Sequence, residues 1–234
     1  MLYSTSIMAA DVLDVLDSLG WTSPRSLHVL GISMGGMVAQ ELGLLIPDRI
    51  ASLSLISTAA RIVNTGGFFK NLRELINLFI PKPIDSQLVE LKGRLFNPVW
   101  LMQPDDDVNF PCGGKFPTNG DRFTAQEITK RSNPAENRMK GIVLQAIATR
   151  RHYKSESQLK ELGDRVGRER ITVMHGTLDQ MITFRHGEVL AKELEVELTT
   201  WQQAGHVLTM EKRRDFNMMV EQIVKKTERL SKSS

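Results

Sequence analysis

Along the first sixty residues the spacing of hydrophobic positions changes period three times. Met8, Val12, Val15, Leu16 and Leu19 recur at helical spacing, with Asp11, Asp14 and Asp17 off that stripe, which predicts an amphipathic helix over residues 6–19. Ser4, Thr5 and Ser6 offer N-caps and Gly20 a stop. Residues 26–32, centred on Leu27-His28-Val29-Leu30, then read as a short buried strand. Helical spacing returns from about Met34 to Leu45 and ends at Pro47-Asp48-Arg49. Residues 50–57, Ile-Ala-Ser-Leu-Ser-Leu-Ile-Ser, predict a second strand. Helix, strand, helix and strand joined by short links point to an α/β fold with a parallel sheet.

From residue 61 to 168 no run of strand stands out. Helical patterns at 68–79, 85–95, 122–131, 135–152 and 156–163 are separated by breaks such as Pro81-Lys82-Pro83 and Phe110-Pro111-Cys112-Gly113-Gly114. The strand–helix pattern then resumes. Ile171-Thr172-Val173-Met174 is a short apolar strand, 184–195 suits a helix, and Val196 to Gln202 suits another strand. A single long helix is expected from about 210 to 230. The expected organisation is a core over 1–60, a helical insertion over 61–168 and a second part of the core over 169–234.

Composition narrows the class. The chain has 234 residues, 41% hydrophobic and 24% charged, enough apolar side chain for a sizeable core. The net charge of +3 is too small and dispersed to argue for nucleic acid. A lone cysteine, Cys112, excludes an internal disulfide and a cysteine zinc site. The acidic N-terminal segment is unlike a signal or transit peptide, and no apolar run approaches the ~20 residues of a membrane span. These features set a soluble, cytoplasmic protein as the expectation.

The candidate chemistry centres on Gly31-Ile32-Ser33-Met34-Gly35, a Gly-x-Ser-x-Gly between a predicted strand and a predicted helix. Such a turn exposes a serine oxygen at the sheet's edge and needs small neighbours, because strand and helix backbones pass closely. A serine nucleophile needs a base, and the base needs an orienting acid. Of five histidines, His28 lies inside a strand and is expected to point into a layer. His152 is in the insertion, His186 on a helix, and His175 directly precedes a turn. His206 alone follows a strand in a small-residue loop, Ala204-Gly205-His206, and so is the candidate base. The alternative is a histidine capping the last helix. No acid occurs between Arg49 and Lys70, whereas Asp179 sits just past a strand in Gly176-Thr177-Leu178-Asp179. It is the candidate acid, or else a structural Asx-turn residue.

Other clusters carry less. Asp105-Asp106-Asp107 reads as solvated rather than metal-binding, for no His or Cys accompanies it. Arg150 and Arg151, with Lys154 nearby, could bind a phosphate, but a charged, solvated helix end is the simpler reading. Phe68, Phe69, Ile76, Phe79, Leu95, Trp100 and Met102 could line an acyl pocket, although packing within the insertion accounts for most of them. No dinucleotide fingerprint and no phosphate-binding loop is present, so no cofactor is expected.

Taken together, Gly31-Ile32-Ser33-Met34-Gly35-Gly36, Pro47-Asp48-Arg49-Ile50, His175-Gly176-Thr177-Leu178-Asp179 and Ala204-Gly205-His206 resemble the α/β-hydrolase superfamily, and more narrowly a branch of fungal α/β-fold hydrolases with a helical cap. Asn119-Gly120-Asp121-Arg122-Phe123 is similar to that branch too. The resemblance implies a Ser33–His206–Asp179 triad, hydrolysis of esters or related acyl substrates, and no cofactor. It also implies strands ahead of the nucleophile strand and a His-Gly loop giving half of an oxyanion hole. Residues 1–26 hold neither, so the expected fold is an α/β-hydrolase fold with an N-terminally truncated parallel sheet and a helical cap. The Met34 N–H is then the expected oxyanion donor, and Leu27–Leu30 an open edge suited to self-association. Two functions follow as expectations: a serine esterase acting on a small-molecule ester, or a weak or inactive remnant acting through that edge.

Overall fold

The structure, a computed structural model, describes residues 3–62, 83–105, 115–132 and 139–232. Four strands form one sheet: β1 (Leu27–Ile32), β2 (Ile50–Ile56), β3 (Ile171–Gly176) and β4 (Leu198–Trp201). They lie in the order β1-β2-β3-β4, every neighbouring pair parallel. Leu30 stands opposite Ser54, Leu55 opposite Val173, and Val173 opposite Leu198. In a parallel sheet all strands end on one side, so the loops after β1, β3 and β4 open on the same edge.

Helices α1 (Thr5–Ser18) and α2 (Met34–Leu45) flank β1 in sequence. Between β2 and β3 come α3 (Ile84–Leu95), α4 (Pro98–Met102), α5 (Asn119–Ser132), α6 (Met139–Arg151) and α7 (Glu156–Val166). Helix α8 (Phe184–Leu194) links β3 to β4, and α9 (Leu208–Glu211) and α10 (Arg213–Lys232) close the chain. Short α4 was not visible in the periodicity. It is set by local chemistry: Pro98 starts it, and the Asn97 side chain accepts a hydrogen bond from the Val99 N–H. The helix expected at 68–79 lies outside the described residues, as do Cys112, Phe68, Phe69, Ile76 and Phe79.

The sheet is covered on both faces. Leu53, Leu55, Ile171 and Val173 pack with Ala39 of α2, Leu159 and Leu162 of α7, and Leu190 and Leu194 of α8. On the other face Ile56 and Met174 pack with Leu208, Phe216 and Ile223 of α9 and α10. Strand β2 is therefore buried along its whole length, as interior parallel strands are. Strand β1 forms an edge, with His28 exposed and Leu30 41% exposed.

Five sequence expectations need correction. The apolar stripe of α1 does not all enter the core: Thr5, Met8 and Ala9 are buried, but Val15 and Leu19 are more than half exposed. The buried residues of α1 all lie in its first two turns, and beyond them the stripe is half-buried or exposed. His28 is exposed rather than buried in a layer, its Nδ1 2.8 Å from Ser52 Oγ of the neighbouring strand β2. The expected helix over 210–230 is two helices, because Lys212 leaves helical geometry at φ −123°, ψ 32°. Asp105 is not solvated; it forms a buried ion pair with Arg122 at 2.7 Å. Its neighbours Asp106 and Asp107 lie outside the described residues. Lys154 is likewise buried, 2.5 Å from Glu41 of α2, while Arg150 and Arg151 are exposed as expected.

Candidate active site

Ser33 sits between the end of β1 and the first residue of α2 with φ 56° and ψ −122°. Positive φ is costly for a residue with a side chain, of order 1–3 kcal/mol, and persists only where surrounding bonds fix it. Here the Ser33 N–H donates to the Ile56 carbonyl at 2.9 Å. The Ser33 carbonyl accepts from the Gly36 N–H at 3.0 Å and from the Thr58 hydroxyl at 2.6 Å. The side chain makes no cap bond to α2 and is partly exposed. Backbone bonds thus hold the turn, and the hydroxyl is left for other work.

Glycines permit this approach. A Cβ on Gly31 would lie 2.4 Å from the Gly35 carbonyl oxygen, and one on Gly36 would lie 2.6 Å from the Thr58 side chain. A Cβ on Gly35 would meet nothing within 4 Å. The steric demand therefore falls on Gly31 and Gly36, not on the second glycine of the Gly-x-Ser-x-Gly pattern. Met34 opens α2, so its N–H has no intrahelical acceptor and is free beside the serine.

The acid and the histidine meet. Asp179 follows β3 and is buried; His206 follows β4 and is buried. His206 Nδ1 lies 2.8 Å from Asp179 Oδ2. Asp179 Oδ1 accepts the Met181 N–H at 2.8 Å and the Ile182 N–H at 2.9 Å. The Asx-turn role and the histidine contact are thus both real, one per oxygen. Burial alone would raise the Asp179 carboxyl, but donors on His175 and His206 outweigh it and hold the carboxyl below its ordinary value. No Ser33–His206 hydrogen bond is formed among the described residues; catalytic hydrogen bonds are often open in the absence of substrate. The structure joins two of the three expected residues and places the third on the same sheet edge.

The histidine loop is held by the segment leaving α3. The Leu95 carbonyl accepts the N–H groups of His206 at 2.8 Å and Val207 at 3.2 Å. Asn97 Nδ2 donates to the Gln203 carbonyl at 2.7 Å. Glu211 Oε1 accepts the N–H groups of Gly205 at 2.9 Å and Asn97 at 3.2 Å. A Cβ on Gly205 would lie 2.5 Å from the Leu95 oxygen, so only glycine fits there. Burial pushes the Glu211 carboxyl up, and the Asp179 charge adds to this against the two backbone donors. The loop carrying His206 is therefore not shaped by its own residues alone. Glu211 was not picked out by sequence, because its role depends on residues 95–97 returning to the loop.

The remaining histidines are elsewhere or serve otherwise. His152 is buried beside Glu41 and Thr5, and His186 bonds Thr183. His175, set aside in the sequence, lies 3.1 Å from Asp179. Of the residues considered for an acyl pocket, Trp100 stacks on Phe96 at 5.0 Å and Met102 is 76% exposed.

A doubly covered parallel sheet with polar side chains gathered at its carboxyl edge defines an α/β protein whose candidate residues stand on the loops at that edge. Residues 2–213 match the family model described as alpha/beta hydrolase fold, and the chain belongs to that family. Solved structures agree. A hydrolase from Pseudomonas aeruginosa PA01 is 26% identical with a TM-score of 0.66, over 96% of this chain and 73% of that one. An esterase from Thermogutta terrifontis is 20% identical with a TM-score of 0.67, over 97% and 74%. The 2-hydroxy-6-oxo-6-phenylhexa-2,4-dienoate hydrolase of Rhodococcus sp. strain RHA1 is 16% identical with a TM-score of 0.68, over 94% and 70%. No curated protein sequence matches the chain. No helix among the described residues is long and apolar enough to cross a membrane.

Proposed function

We propose that the chain is a serine hydrolase of carboxylic esters or related small acyl compounds. The observation that carries the reading is the buried Asp179–His206 bond on the same sheet edge as the positive-φ Ser33 turn, whose hydroxyl makes no cap bond. Ser33 Oγ attacks the acyl carbonyl while His206 Nε2 takes its proton. Asp179 fixes the imidazole with Nδ1 protonated and stabilises the imidazolium. The Met34 N–H bonds the developing oxyanion. The histidine then returns the proton to the leaving alcohol. Water, deprotonated by the same histidine, releases the acyl group from Ser33. No cofactor takes part. Helices α3 to α6 act as a cap, and the tie of the segment leaving α3 to residues 203–207 couples the cap to the base. A family match and an esterase among the structural neighbours support the hydrolase class.

Turnover of a short p-nitrophenyl ester tests the reading. Ser33→Ala and His206→Ala are expected to abolish it, and Asp179→Asn to lower kcat by ~10⁴-fold with the fold intact. Wild-type turnover in Ser33→Ala would refute the nucleophile assignment.

A second reading is favoured by one surface. Strand β1 is an open edge, and Leu30, Val15, Leu19 and Trp21 are each at least 41% exposed. In that reading the edge pairs with a second copy of the chain, and hydrolysis is weak or absent. Sedimentation velocity separates the two: a monomer with ester turnover supports the first, and a dimer without turnover supports the second.

A further inference from the structure

Asp179 Oδ2 is reached by two histidines, not one. His175, near the end of β3, is fully buried. Its Nε2 lies 2.7 Å from the Ile182 carbonyl oxygen and 3.1 Å from Asp179 Oδ2. His206 approaches that same oxygen through its other ring nitrogen, Nδ1, at 2.8 Å. Two imidazoles therefore converge on one carboxylate oxygen from two different strands.

Geometry fixes which nitrogen of His175 donates. Nε2 faces the Ile182 and Asp179 oxygens and carries a proton. Nδ1 is buried and, among the described residues, without a hydrogen-bond partner. The ring therefore donates through Nε2. It is also held in place by packing. Phe184 meets it edge-on with ring centroids 6.1 Å apart, and a Cβ on Gly187 of α8 would lie 2.5 Å from Nδ1. The charged and titratable groups facing it are Asp179 from the turn after β3 and His206 from the loop after β4. Glu211 of α9 acts on Asp179 electrostatically.

We infer that His175 is a positioning residue of the triad, a buried donor through Nε2 that holds the Asp179 carboxylate for His206 and shares its negative charge. The inference rests on the triad reading above. His175 Nε2 bonds the Ile182 carbonyl at 2.7 Å and lies 3.1 Å from Asp179 Oδ2, while the Ile182 N–H bonds Asp179 Oδ1 at 2.9 Å, so the carboxylate cannot turn away from His206 without disturbing this buried arrangement. The charge that Asp179 offers to the imidazolium is also divided between the two rings. His175 touches no substrate, so its effects belong in kcat and in the pH profile rather than in KM.

The test is His175→Phe, which keeps the ring and removes the donor, beside His175→Gln, whose amide can donate from about the Nε2 position. His175→Phe is expected to lower kcat about 10- to 100-fold through the loosened carboxylate, with KM unchanged. Its acid limb of kcat/KM is expected to move to higher pH, because an undivided carboxylate favours the His206 imidazolium. His175→Gln is expected to recover most of the rate and the wild-type limb. Thermal melting of both variants reports folding. If His175→Phe does not fold, Gly187→Ala, which displaces the ring and keeps it, is expected to shift the limb in the same direction. Wild-type kcat and pH profile in His175→Phe, or equal damage in Phe and Gln variants, would overturn the inference. The failures are distinguishable: activity retained in Ser33→Ala refutes the triad itself, whereas activity lost there but retained in His175→Phe refutes only the role of His175.

Discussion

Ser33 is held by its backbone and left free at its side chain, and the cost of that arrangement lies on two glycines. At Gly31 an added methyl group would strike the backbone of α2, which cannot turn aside; at Gly36 it would strike Thr58, which itself bonds the Ser33 carbonyl. Gly31→Ala and Gly36→Ala are therefore expected to destabilise the protein by about 1–3 kcal/mol in denaturant melts. Gly35→Ala, with open space around its Cβ, should lie within about 0.5 kcal/mol of wild type. Equal effects at all three positions would contradict this account of the turn. The identities of Ser33, Asp179 and His206 as candidates were legible because each depends on local pattern: a motif, an acid just past a strand, and a histidine in a small-residue loop after one. Gly36 and His175 stand in the motifs that carry the resemblance, but the contacts that give them a role were not legible. What makes them matter is contact with Thr58, Asp179 and Ile182, which only the folded chain brings near.

At the scale of elements, the strands were legible to within a residue or two, since continuous apolar runs in an α/β pattern admit few alternatives. What sequence spacing could not give was which faces find partners. Helix α1 buries its first turns and leaves Val15 and Leu19 in solvent, because periodicity reports a stripe but not the length of the surface that meets it. Lys154 shows the converse. Next to two exposed arginines it reads as solvated, yet the chain leaving α6 carries it back onto Glu41. There Lys154 Nζ, Thr5 Oγ1 and His152 surround one carboxylate. Burial would raise the Glu41 carboxyl, but hydrogen bonds from His152 and Lys154 outweigh it and lower it to about 2. A carboxyl with a depressed value in the fold stabilises the fold fully above its ordinary range, and this contribution is lost as pH falls from about 5 towards 2. Glu41→Gln leaves Lys154 buried without its counter-charge and is expected to cost about 3 kcal/mol at pH 7. Denaturant melts across pH should show the gap between wild type and variant closing as pH falls towards 2. A gap that does not change with pH would contradict the ion-pair account.

For the whole molecule, the parallel sheet does the assembling. Ser33, Asp179 and His206 are far apart in sequence, and the strand order β1-β2-β3-β4 with a common direction sets their loops on one edge. The segment leaving α3 then clasps the histidine loop through Leu95 and Asn97. The position of His206 therefore answers both to the sheet and to the segment leaving α3. The α/β class followed from alternating helix and strand patterns, but this clasp did not, since it joins residues more than a hundred positions apart. The most direct test of the central claim is the intact mass of folded protein after exposure to a fluorophosphonate, with the adduct located by peptide mapping. The account predicts one phosphonyl adduct per chain, on Ser33, absent from Ser33→Ala and strongly slowed in His206→Ala. An unlabelled, well-folded wild type, or an adduct that persists in Ser33→Ala, would contradict it.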